Sequence, residues 1–273
     1  MAETIVLLAC QSRRSSNVSE PVVPSLSPSP PMPRLHTIDA LRGVALFAMI
    51  VFHASWNVDF FGFAHLGVLS HTGWVWFARG IAGSFIFLAG VSFVLADRAG
   101  QDKKSRWRRI LKIAIAATAV SIVTYSIFPD SFVYFGILHH IALASLLAWP
   151  LLRLNSVFLA VVAVGLVLVH ETYVLPFSQT RWLAWIGLSE NVPPANDYVP
   201  LLPWFAVFVT GLAVGQTLTL QATVLKVLSN SYRWFKPLVW MGKRSLIIYL
   251  LHQPILFGMA FGLFSLSNWP NPG

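Results

Sequence analysis

An arginine and a histidine, eleven residues apart, are the first residues in this sequence that could do chemistry together. Arg42 and His53 lie in the run Ile38-Asp39-Ala40-Leu41-Arg42-Gly43-Val44-Ala45-Leu46-Phe47-Ala48-Met49-Ile50-Val51-Phe52-His53. Three helical turns take about 10.8 residues, so a helix carries both side chains on one face, roughly 16 Å apart along its axis. Ionisable groups within an apolar helix are costly in lipid and face a polar cavity or a partner where they occur. Taken alone, His53 is equally well read as a histidine that bridges two helices by a hydrogen bond. Asp39, three residues before Arg42, can pair with it on the helix surface, or cap the helix and complement its dipole. The two roles are compatible.

A second arginine cluster is Arg106-Trp107-Arg108-Arg109. Arg106 and Arg109 are three apart at a helix start and face one way, and two guanidinium groups at a membrane surface suit phosphate. By themselves they are better explained as topology-setting charge or as contacts with anionic lipid. His65 and His71 fall in the first outer loop, open to protonation and to substrate. His139 and His140 are adjacent, so a helix points them about 100° apart, and both read as structural. His252 lies in Ser245-Leu246-Ile247-Ile248-Tyr249-Leu250-Leu251-His252-Gln253-Pro254, where the proline frees a carbonyl and a polar segment inside a span often borders a cavity. His170-Glu171 lacks the second histidine of a zinc helix, and no glycine-rich phosphate loop occurs, so no metal is expected. The single cysteine, Cys10, allows no intrachain disulfide. The apolar run before it is too short for a signal peptide, and Glu3 stands where positive charge belongs.

The elements that must hold these residues are membrane helices. The chain has 273 residues, 56% of them hydrophobic and 11% charged. Soluble domains carry about 25% charged residues, so a water-covered surface is excluded. The sequence predicts an all-α, polytopic integral membrane bundle with seven spans near 40–58, 74–96, 110–128, 132–152, 156–175, 200–219 and 244–264. A further apolar piece, Trp182 to Leu188, is too short to cross and reads as interfacial. The net charge of +9 does not point to nucleic acid, because the cations cluster between apolar runs. With the N-terminus in the cytoplasm, Arg34, Arg42, the basic loop from Arg98 to Lys112, Arg153, Lys226, Arg233, Lys236, Lys243 and Arg244 all lie inside. Only Arg79 and Arg181 then fall toward the outside. Residues 1–33, rich in serine and proline, read as a disordered extension, with Met32 as an alternative initiator. Gly211 with Gly215, and Gly258 with Gly262, are small-residue pairs read as internal helix packing in preference to a homo-oligomer contact.

Together these segments resemble the small bacterial proteins related to heparan-α-glucosaminide N-acetyltransferase, within the wider transmembrane acyltransferase superfamily. The resemblance covers most of 34–257. It is carried by Ile38-Asp39-Ala40-Leu41-Arg42-Gly43, Phe85-Ile86-Phe87-Leu88-Ala89-Gly90-Val91-Ser92, Pro200-Leu201-Leu202-Pro203-Trp204-Phe205 and the stretch from Ser245 to Pro254, with the Arg42–His53 spacing and the Arg106–Arg109 pair. It implies a transmembrane acyltransferase domain over 34–267 in the inner membrane, with acetyl-CoA or another acyl-CoA as donor from the cytoplasm. The acceptor it implies is an amine or hydroxyl of a glycan or other small molecule at the outer face. On that likeness Arg42, Arg106 and Arg109 hold the CoA phosphates and Asp39 orients Arg42. His53 acts as general base or transient acyl carrier, and Asn57, Tyr249 and His252 border the same cavity. Heparan-type enzymes place a functional histidine in the loop after the first span, which makes His65 the competitor of His53. Membrane lipids are the expected neighbours. A small-solute transporter and a non-catalytic scaffold of envelope assembly are the other readings. The scarcity of acidic residues within the spans counts against the transporter.

Overall fold

The protein is described by a computed structural model over residues 35–174, 180–221 and 235–267. The described residues form helices α1 (His36–Phe60), α2 (Thr72–Arg98), α3 (Lys103–Ile127), α4 (Ile137–Leu151), α5 (Ser156–Thr172), α6 (Arg181–Ala184), α7 (Trp204–Thr219), α8 (Lys236–Lys243) and α9 (Ser245–Ser267). All seven expected spans are helices. Four of them, α1, α2, α3 and α9, are long and apolar enough to cross a membrane, at 25, 27, 25 and 23 residues. The other three, α4, α5 and α7, are shorter apolar helices of 15, 17 and 16 residues. The piece expected at the interface contains the four-residue α6. The N-terminal extension, and Lys226 and Arg233, lie outside the described residues.

Local signals set several helix ends. His71 Nδ1 accepts from the Gly73 N–H at 3.2 Å to cap α2, and Asn155 Oδ1 accepts from the Phe158 N–H at 2.9 Å to cap α5. Pro237 occupies the first turn of α8, where a missing N–H costs nothing. Pro254 sits inside α9 with helix on both sides, so the Leu250 carbonyl lacks its usual donor.

The core is built on α2 and α7, whose backbones nearly touch. A Cβ on Gly90 would lie 2.2 Å from the Phe208 carbonyl oxygen, and one on Gly211 would lie 2.3 Å from that of Phe87. Ile86, Phe208 and Leu212 pack there, with Ala144 of α4 and Leu159 of α5, all fully buried. The Gly211–Gly215 pair therefore serves internal packing. A Cβ on Gly258 or Gly262 would meet no atom of a neighbouring element within 4 Å among the described residues.

At one end the loops 128–136 and 185–203 knit into a plug. Phe135 and Tyr198 form a parallel bridge. Asn196 N–H donates to Ser131 O at 2.8 Å, Val199 N–H to Phe135 O at 3.0 Å and Leu201 N–H to Trp185 O at 2.7 Å. His140 Nδ1 donates to Pro200 O at 3.2 Å and His170 Nδ1 to Gly187 O at 2.9 Å. His139 Nε2 meets Ser121 Oγ at 3.1 Å. These histidines satisfy backbone and hydroxyl groups between elements, a structural use of all three.

Candidate functional site

Helix α1 meets a different partner at each end. Near its start, Arg42 Nη1 donates to Asp39 Oδ1 at 3.1 Å, and Arg42 Nη2 bonds Ser92 Oγ on α2. Asp39 is only 3% exposed, so its charge depends on Arg42 and the helix N-terminus around it. Five residues on, α2 supplies Asp97, which pairs with Arg106 at the start of α3. Arg106 is 6% exposed, its guanidinium held between the rings of Phe93 at 4.8 Å and Trp149 at 4.5 Å. Its Nε and Nη2 are buried and have no protein hydrogen-bond partner. They border a narrow cavity lined also by Gln101, Arg109 and Ser145. Arg109 itself is exposed. The two arginines thus differ in kind: Arg106 is clamped at one nitrogen and has two others without a partner, while Arg109 is an exposed cation lining the same cavity. Buried guanidinium donors without partners, beside a second arginine, fit an anion such as a phosphate.

Toward the other end of α1, His53 lies against His252 of α9, with ring centroids 4.9 Å apart. His252 is buried, at 8% exposure. Its Nδ1 lies 2.6 Å from the Tyr249 carbonyl oxygen. A carbonyl only accepts, so Nδ1 carries the proton and Nε2 keeps its lone pair. That Nε2, like His53 Nδ1, is buried without a protein partner. One turn beyond His53, Asn57 is 2% exposed; its Nδ2 donates to His53 O at 2.8 Å and its Oδ1 has no partner. Tyr249 is three residues before His252 on the same face of α9, with ring centroids 5.7 Å apart. Phe52 stacks edge-on to His53 at 5.4 Å and shields one side. The result is a buried polar cluster of two imidazoles and an amide, in which His53 Nδ1, His252 Nε2 and Asn57 Oδ1 have no hydrogen-bond partner among the described residues.

The sequence-derived residues therefore fall into two groups. Asp39 and Arg42, with Arg106 and Arg109, share the end of the bundle where α2 stops. His53, Asn57, Tyr249 and His252 share the polar cluster between α1 and α9. His65 belongs to neither: it is exposed in loop 61–71.

Three partners escape a reading of the sequence. Ser92 and Asp97 bind the two arginines from α2. The third is Asp197, in the loop before α7, whose Oδ2 accepts from the Ile137 N–H at 3.1 Å. Burial pushes the Asp197 carboxyl above its ordinary value, and the hydrogen bond from the Ile137 N–H partly opposes the shift. An acidic residue outside every apolar run carries no sequence signal beyond its type. Ser92 alone had one, inside the quoted run Phe85 to Ser92.

A family model described as heparan-alpha-glucosaminide N-acetyltransferase, catalytic, matches residues 34–254. The match spans α1 through most of the polar face of α9, and takes in both groups of residues. No curated protein and no solved structure matches the chain.

Proposed function

The chain belongs to the heparan-alpha-glucosaminide N-acetyltransferase catalytic family, and from that premise we propose that it transfers an acetyl or other acyl group from acyl-CoA to an amine or hydroxyl. The donor enters at the arginine end, taken as cytoplasmic, and the acceptor reaches the His53–His252 pair from the outer face of the inner membrane. A glycan is the acceptor class that the family favours. The observation that carries the reading is the His53–His252 pair: two imidazoles in contact, His53 half-buried and His252 buried, each with a buried ring nitrogen that no protein group satisfies. Such nitrogens are costly in an apolar bundle unless a substrate uses them.

The chain's own groups supply the following steps. Arg106 Nε and Nη2, with Arg109, hold phosphate oxygens, and Arg42, braced by Asp39 and Ser92, adds positive charge beside them. The roughly 16 Å of helix between Arg42 and His53 spans the distance that the extended arm of the donor must cover. The bound thioester supplies an activated acyl carbon. His53 takes the proton from the acceptor nitrogen or oxygen as the new C–N or C–O bond forms, and returns it to the departing sulfur as the C–S bond breaks. His252, with its proton fixed on Nδ1, presents a lone pair toward the imidazole that gains charge.

Two measurements test the proposal. Calorimetry with acetyl-CoA on the purified protein in detergent should show binding that weakens at least tenfold in Arg109→Ala, an exposed position whose loss leaves the fold intact. Acetyl transfer to a glucosamine probe in liposomes should vanish in His53→Ala, while the protein still inserts. Full turnover in His53→Ala removes that residue from the mechanism, and no binding of any acyl-CoA to the native protein removes the donor.

A further inference from the structure

Helix α8 is short, and its inner side fixes which way it faces. Val239 is 2% exposed, and a Cβ on Gly242 would run into the Asp39 carbonyl of α1. Met241 packs on the buried Leu46 and Met49. At about 100° per residue, Lys236, Trp240 and Lys243 then share an arc of about 60° on the outer side. Arg244, the C-cap of α8, joins them: its guanidinium lies over the Trp240 ring at 4.8 Å. All four residues are exposed.

The charge on this face is of one sign. Among the described residues the ion pairs are Arg42 with Asp39 and Arg106 with Asp97, and no carboxylate meets Lys236, Lys243 or Arg244. Asp39, the acidic group beneath α8, is buried and committed to Arg42. The face also lies at a membrane boundary. Helix α8 ends at Lys243, and α9, long and apolar enough to span, begins at Ser245. At about 1.5 Å per residue, the 23 residues of α9 cover roughly 35 Å, so its first turn reaches the headgroup region. Phe235 and Trp240, 50% and 53% exposed, stand among the cations there. Cations interleaved with aromatic rings suit the interface, where the rings meet acyl chains and the charges meet phosphates. A soluble phosphate would satisfy the cations alone and leave the rings in water.

We propose that the outer face of α8 is a docking surface for anionic phospholipid, in the leaflet at the arginine end of the bundle. Lys236, Lys243 and Arg244 hold the headgroup phosphates, and Trp240 sits between headgroup and acyl chain. The proposal does not rest on the acyltransferase reading.

The test uses the full chain in nanodiscs of phosphatidylcholine and phosphatidylglycerol in equal parts, with one of the two lipids brominated high on its acyl chain. Quenching of Trp240 is read as the difference between the native protein and Trp240→Phe. Brominated phosphatidylglycerol should quench Trp240 at least about fivefold more than brominated phosphatidylcholine, the preference that one surface cation confers. The excess should shrink in high salt. It should also fall in each of Lys236→Gln, Lys243→Gln and Arg244→Gln, and vanish in the triple variant; the single variants still report if the triple one fails to fold. Equal quenching by the two lipids, no quenching by either, or an excess that no variant lowers overturns the proposal. An excess abolished by acetyl-CoA also overturns it, and assigns the three cations to the phosphates of the donor.

Discussion

Replacing Gly242 by alanine puts a methyl group where α8 and α1 leave no room. The new Cβ would lie 1.7 Å from the Asp39 carbonyl oxygen, 2.6 Å from its carbon and 3.0 Å from its Cα, whereas ordinary contact begins at 3.4 Å. All three are backbone atoms inside a helix, so no rotamer relieves the clash. From the other side, a Cβ on Gly43 would lie 2.1 Å from the Leu238 carbonyl oxygen. Helix α8 must therefore back away by about 1.7 Å, the shortfall at the tightest contact. Overpacking of this kind costs about 1–3 kcal/mol, and the better helix propensity of alanine returns about 1 kcal/mol. A net loss of up to about 2 kcal/mol lowers the unfolding temperature by about 2–4 °C per kcal/mol in a chain of this size. Gly258→Ala is the matched control. Nothing lies within 4 Å of its Cβ position, so the same substitution should raise stability by up to about 1 kcal/mol. Thermal unfolding in one detergent reads both variants. Because Gly242 sits on Asp39, the partner of Arg42, Gly242→Ala should also raise the acetyl-CoA KM, and Gly258→Ala should not. A Gly242→Ala protein stabilised as much as Gly258→Ala, or a Gly258→Ala protein destabilised as much as Gly242→Ala, would refute the packing argument.

Further outcomes follow from the same contacts. His252→Ala should slow acyl transfer by about 10²-fold or more with insertion unchanged, and His65→Ala should alter it less than twofold; the reverse pattern would move the chemistry to the outer loop. Asp97→Ala strands the Arg106 guanidinium between two aromatic rings and should cost about 2 kcal/mol, read as a lower unfolding temperature; native stability would show that the ring contacts suffice. Asp197 gives a pH signature. Its carboxyl is raised in the folded state, so the fold binds that proton more tightly than the unfolded chain does. The resulting stabilisation is complete below the unfolded value of 3.8 and is lost as pH rises through the folded value. The unfolding temperature of Asp197→Asn relative to native should accordingly increase as pH is raised from about 4, and a flat difference would contradict the shift.

Much of the architecture was legible because lipid imposes it: each span needs a long apolar run, and α1, α2, α3, α4, α5, α7 and α9 each appear where such a run does. The Arg42–Asp39 contact was legible because it is local, three residues apart on one helix. What the pattern concealed are contacts between distant parts of the chain. On the family likeness Arg106 offers its whole guanidinium to phosphate, but α2 brings Asp97 to it, and only part of that guanidinium is left without a partner. Gly211–Gly215 and Gly258–Gly262 share one pattern, yet the first meets α2 and the second meets no atom within 4 Å. Spacing marks a helix as able to pack closely without naming a neighbour. His252 was expected near a cavity, but its pairing with His53 joins residues 199 positions apart, which periodicity cannot express.

The short helices give bilayer thickness a role in this protein. At about 1.5 Å per residue, α4, α5 and α7 are roughly 22–26 Å long, below the hydrocarbon depth of about 30 Å. The plug beside them is irregular backbone with N–H groups bonded across its two loops and carbonyls bonded by His140 and His170. Irregular chain next to a bilayer needs its backbone groups satisfied in this way. A leaflet that matched both sets of helices would have to thin beside α4, α5 and α7 and remain full around α1, α2, α3 and α9. Hydrophobic mismatch then becomes a variable that activity can register: membranes of shorter acyl chains relieve the strain around the plug, and thicker ones press on the loop that holds Asp197.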